Sequence, residues 1–92
     1  MEHIITGAKY VLAPGTQVRE EDFGLLFYTR HGPRLYFLSS GDLLETRFFQ
    51  GNLTLEQWIK QETERPSMSK ALMSEINKTL VELREKGVIL EQ

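Results

Sequence analysis

The 92-residue chain contains no cysteine. That excludes disulfides, thiolate zinc sites, iron–sulfur ligation and cysteine catalysis. It also fits a reducing, cytoplasmic setting. Histidine is scarce: there are 2, His3 near the N-terminus and His31 in a turn beside Gly32. No carboxylate is spaced to complete a metal site with either on one helix face. Both read as surface residues, and no metal is expected. A basic surplus is missing too: 11 Lys and Arg stand against 13 Asp and Glu, for a net charge of −2. A nucleic-acid binder needs excess cations to neutralise phosphates, so no nucleic-acid partner is expected. No apolar run approaches the ~20 residues of a membrane span. The start, Met1-Glu2-His3-Ile4-Ile5, lacks a basic region ahead of an apolar stretch. The chain reads as soluble, with no membrane partner.

Catalytic signatures are equally thin. Gly7, Gly15 and Gly24 are isolated and make no phosphate-cradling loop. Ser39-Ser40-Gly41 lacks the nucleophile-elbow pattern. Glu20-Glu21-Asp22 reads as a solvated charge run rather than paired catalytic acids. No catalytic residue and no cofactor are expected, so the protein is read as a non-enzyme.

What is present is ordinary globular material, 40% hydrophobic and 26% charged. It suits one small domain over residues 1–92, with 1–8 as a flexible N-terminus. Tyr10-Val11-Leu12 is a short apolar run closed by the turn signal Pro14-Gly15. Gln17 to Arg19 predicts a brief strand. Gly24 to Arg30 and Arg34 to Ser39 predict an aromatic-rich hairpin turning at His31-Gly32-Pro33. Strand alternation puts Leu35 and Phe37 on one face, and Tyr36 and Leu38 on the other. Both faces are apolar, so the second also wants cover.

Three helices are expected after the hairpin. Ser39 or Ser40 caps the first, through Asp42, Leu43, Leu44 and Phe48, with Gly51-Asn52 at its end. Thr54 caps the second, with Gln57 at the capping-box position. Leu55, Trp58 and Ile59 form its apolar side, and Arg65-Pro66 stops it. Ser67 or Ser69 starts the third. Its stripe is Leu72, Ile76, Leu80 and Leu83, with Gly87 as C-terminal cap. Val88-Ile89-Leu90 is an apolar tail that can pack back on the core. The fold class is α+β, a winged-helix-like βββααα order with a three-stranded antiparallel sheet.

A sheet edge offers unpaired N–H and C=O groups. The first strand is followed by acidic residues and looks protected. The third, Arg34 to Leu38, holds no proline or acid. It can accept an extended peptide as an added strand, or be covered by a helix. Composition alone leaves both open. The third helix would supply a second wall, with Lys70, Met73, Asn77 and Arg84 on one flank and Glu75 and Glu82 on the other.

These residues resemble a known family. Pro14-Gly15, the short strand, the aromatic hairpin and Leu38-Ser39-Ser40-Gly41-Asp42-Leu43-Leu44 are similar to the PqqD-like domains. These are also called RiPP recognition elements. Arg19 to Gly24 with Leu25-Leu26-Phe27-Tyr28, continued by Arg34 to Ser40, looks most like the peptide chaperones of mycofactocin systems. The resemblance spans about Tyr10 to Leu90 and is most specific between Val18 and Leu44. It implies a cytoplasmic peptide chaperone that binds the leader of a ribosomally made precursor peptide. The chaperone presents that precursor to a separate radical S-adenosylmethionine maturase. It further implies peptide contacts at Arg34, Leu35, Tyr36, Phe37, Leu38, Met73, Asn77 and Arg84. A chaperone for another precursor and a winged-helix DNA-binding regulator are the alternatives. A homodimer through the exposed edge strand is a further option.

Overall fold

The computed structural model of the chain describes residues 7–30, 34–62 and 70–92. It is α+β. Strands β2 (Thr16–Glu21), β3 (Gly24–Thr29) and β4 (Arg34–Leu38) form an antiparallel sheet in the order β2-β3-β4. The register pairs Leu25 with Leu38, Phe27 with Tyr36 and Thr29 with Arg34. Side chains alternate across a strand. Leu25, Phe27 and Leu38 therefore enter the core, and all three are buried. β2 is longer than Gln17 to Arg19, because Glu20 and Glu21 continue the ladder opposite Leu25 and Gly24. The expected acidic connection shrinks to Asp22-Phe23.

A second, two-stranded sheet pairs β1 (Tyr10–Leu12) with β5 (Ile89–Glu91), antiparallel. The apolar tail after Gly87 thus returns as a strand. Tyr10, Val88 and Ile89 are buried by that return, while Leu90 stays exposed.

α1 (Leu55–Glu62) starts on a reciprocal capping box. The Thr54 N–H donates to Gln57 Oε1 at 3.0 Å, and the Gln57 N–H donates to Thr54 Oγ1 at 3.2 Å. Leu55, Trp58 and Ile59 are its buried side, as expected. The expected stop at Arg65-Pro66 and start at Ser67 or Ser69 lie outside the described residues, as do His3 and His31. α2 (Lys70–Glu85) ends in a Schellman motif. The Val88 N–H donates to the Leu83 carbonyl and the Gly87 N–H to the Arg84 carbonyl, both at 3.0 Å. Gly87 takes φ +76, where a side chain would strain the backbone.

Two expectations need correction. Leu72 is 37% exposed, so it is not part of the buried stripe. Ile76, Leu80 and Leu83 centre that stripe, and Met73 packs beside them in its place. Successive residues step 100° around a helix. On that wheel Leu72 falls to one side of the buried sector and Met73 to the other.

The first of the three expected helices is absent. Among the described residues there are two α-helices, and between β4 and α1 only a single 3₁₀ turn forms, Thr46–Phe49. Leu43, Leu44, Phe48 and Phe49 are all buried. On an α-helix those four positions would spread over well over half the circumference. An irregular path that tightens into one 3₁₀ turn buries all four. Phe48 and Phe49 meet edge-to-face at 5.0 Å between centroids, Phe49 meets Phe27 at 5.2 Å, and Phe48 meets Trp58 at 5.6 Å. One continuous core therefore joins the inner sheet face, the loop, both helices and the β1–β5 pair.

Candidate functional site

The strand order leaves β2 and β4 as the edges of the larger sheet. The two edges differ. β2 is charged: Arg19 pairs with Glu21 at 2.5 Å. Its Glu20 Oε2 also accepts the Thr46 N–H at 3.1 Å, which ties the 3₁₀ turn to that side. β4 carries no such tether among the described residues. Among the described residues, the backbone hydrogen bond of β4 to something other than β3 is Leu38 carbonyl accepting the Ser40 N–H at 3.0 Å. In an antiparallel ladder alternate residues aim their N–H and C=O away from the partner. An edge strand therefore presents those groups to an incoming chain.

The eight residues expected to bind fall into distinct places. Arg34, Leu35 and Phe37 are exposed on β4, Leu35 by 53% and Phe37 by 57%. Tyr36 is half-buried and lies against the core, and Leu38 is wholly buried within it. Leu38 can therefore offer an incoming strand only its backbone. Met73 and Asn77 are half-buried on α2. Arg84 is not brought to β4: its Nη1 donates to Glu91 Oε1 on β5 at 2.8 Å. That contact holds the Arg84 guanidinium pKa above its ordinary value.

Lys86, just past the end of α2, shares a cleft with β4. Together with Arg34, Tyr36, Pro14, Thr16 and Thr29 it lines an open cleft of about 380 Å³. Helical spacing of about seven residues puts Leu72 and Thr79 on the same flank as Lys86. Neither Leu72 nor Thr79 lines the cleft itself, and Met73, Asn77 and Arg84 fall on the opposite flank of the helix. Nothing local in the sequence separates these flanks; Arg84 is drawn towards β5 by Glu91, which the fold alone brings near.

The outer sheet face is uncovered among the described residues. Tyr28, Leu35 and Phe37 are exposed on it, and Phe37 meets exposed Phe23 in a tilted ring contact, 5.6 Å between centroids. A shallow depression of about 270 Å³ lies over Val18, Arg19, Leu26, Tyr28 and Leu35. The sequence reading that this face wants cover meets no covering element here. A third cleft, about 320 Å³, is lined by Glu20, Glu21, Asp22, Asp42 and Glu45. No group of three or more metal-ligating side chains among the described residues could hold an ion. No helix among them is long and apolar enough to cross a membrane.

Scans against family models, curated proteins and solved structures return no match to this chain.

Proposed function

We propose that this protein is a non-catalytic peptide chaperone. It receives an extended peptide as a fourth strand on β4 and presents it to a separate enzyme. The observation that carries this reading is the β4 edge, untethered among the described residues, with Arg34, Leu35 and Phe37 exposed along it and α2 beside it. Strand addition draws affinity from main-chain hydrogen bonds and selectivity from side-chain pockets. β4 offers both, since its outer side chains are apolar and its inner side opens on a polar cleft. The resemblance to the mycofactocin-system chaperones supplies the specific form of the proposal. In that form the peptide is the leader of a ribosomally made precursor, and the enzyme is a radical S-adenosylmethionine maturase. The winged-helix-like arrangement belongs to the same proposal, with the three-stranded sheet as wing and α2 as the helix beside it.

The test is anisotropy of the fluorescently labelled precursor peptide encoded beside this protein's gene. Saturable binding that survives moderate salt is expected. Binding should also be lost when alternate peptide amides are N-methylated in one phase and kept in the other phase, because only every second amide faces the edge. Equal tolerance of both phases would exclude strand addition. Tyr36→Pro is a cruder probe, since Tyr36 also packs on the core. Size exclusion without peptide reports whether a second copy of β4 takes the edge instead.

A further inference from the structure

The cleft beside Arg34 is unusual in its charge. Of its seven lining residues two are cations, Arg34 and Lys86, and none is a carboxylate. Thr16, Thr29 and Tyr36 add hydroxyls. Among the described residues neither cation has an ion-pair partner. Two unpaired cations facing one polar recess favour an anion. The C-terminus of α2 works weakly against this, with about half a negative charge. Its Schellman motif already occupies the Leu83 and Arg84 carbonyls. Two full positive charges outweigh what remains.

We infer that this cleft is a carboxylate subsite of the peptide-binding edge, an inference that rests on the strand-addition reading above. Arg34 is on the inner face of β4, because it pairs with Thr29 and alternates with outward Leu35. A residue of an added strand opposite Arg34 points into the same recess. Residues opposite Leu35 and Phe37 point instead to the outer apolar row. The peptide chemistry follows from this alternation. It carries a carboxylate at one position and apolar side chains one and three positions away. The anion fixes the register of an edge that backbone hydrogen bonds alone leave free to slip by two residues. A side-chain carboxylate and a C-terminal carboxylate share this chemistry.

The experiment selects random dodecapeptides, displayed with both ends blocked by fusion, on the full chain and on the Arg34→Met/Lys86→Met double variant. Both substituted residues are exposed, and thermal melts confirm that the variant folds. On the full chain, peptides with Asp or Glu at one position and apolar residues one and three away should be enriched. On the double variant the apolar pair should persist without the acid. In synthetic peptides, Glu→Gln or Asp→Asn should weaken binding about tenfold to the full chain and hardly at all to the variant. If the display shows only the apolar pair, peptides ending in a free acid or an amide are compared. A similar preference for the free acid, lost in the variant, assigns the subsite to a chain terminus. Apolar pairs with no preference for either carboxylate overturn the subsite and leave strand addition standing. An acid preference that survives in the double variant overturns it equally. No enrichment of any peptide overturns strand addition itself.

Discussion

The Trp58 indole Nε1 donates to the Leu43 carbonyl at 2.7 Å, and both residues are buried. This bond joins α1 to the loop that replaces the expected helix. It also explains part of that replacement, since the Leu43 carbonyl serves α1 rather than a helical ladder. Trp58→Phe should leave a buried carbonyl unsatisfied and cost about 1–3 kcal/mol. Trp58→Ala should add a cavity beside Phe48 and cost about 3–5 kcal/mol. Urea denaturation checks both. A Trp58→Phe change near zero would show that water reaches the Leu43 carbonyl.

Gly24 begins β3 at φ +143. A Cβ there would overlap the Leu38 carbonyl oxygen and stand 2.6 Å from the Ser40 nitrogen. Both neighbours are backbone and cannot step aside as a flexible side chain would. Gly24→Ala should therefore destabilise by about 3 kcal/mol or more, well beyond an ordinary glycine effect. Gly41 is the control. It has φ +56 with nothing near its Cβ position, so Gly41→Ala should cost about 1 kcal/mol. Similar losses at both positions would mean that the β3–β4 junction relaxes.

These two sites mark what the sequence makes legible. The two hairpin strands and their faces follow from alternation, and the Thr54–Gln57 capping box from local chemistry. The α2 stripe is legible except for Leu72, where one residue's rotation decides exposure. The loop around Leu43 is not, because a capping serine and an apolar run satisfy helix rules locally. Only tertiary burial of four neighbouring apolar residues overrides them. The β1–β5 pair is hidden for a different reason: two three-residue runs carry no periodicity, and their pairing spans nearly the whole chain. For the candidate site, edge strand β4 is legible from its lack of acids and proline. Lys86 is not, since Arg34 is remote in sequence and the two share a cleft only through the fold.

Arg84 and Lys86 lie two residues apart yet face different strands. Arg84→Ala removes the pair with Glu91. It should leave affinity for the precursor peptide within about twofold, since surface pairs contribute little at a distance. Amide exchange in β5 should quicken instead, because Arg84 holds Glu91 on that strand. A large loss of affinity in a folded Arg84→Ala variant would place the peptide across β5 rather than along β4.

Tyr10 gives the fold a sensitivity to high pH. Burial raises its phenol pKa above the ordinary value near 10, nearby Arg84 partly offsets this, and Glu91 adds to it. Raising the pKa of an acid on folding means that the unfolded chain loses the proton first. As pH passes above about 10, the unfolded state binds fewer protons than the native one, so stability falls. Below about pH 9 both states keep the proton, and the contribution is constant. Denaturant titrations from pH 8 to 11 on the wild-type chain and Tyr10→Phe isolate this from lysine titration, which both share. The wild type should lose stability relative to Tyr10→Phe only at the alkaline end. Arg84→Gln should enlarge that loss by removing a neighbouring charge that favours the phenolate. A parallel pH dependence in wild type and Tyr10→Phe would mean that Tyr10 ionises as readily in the folded protein as in the unfolded chain.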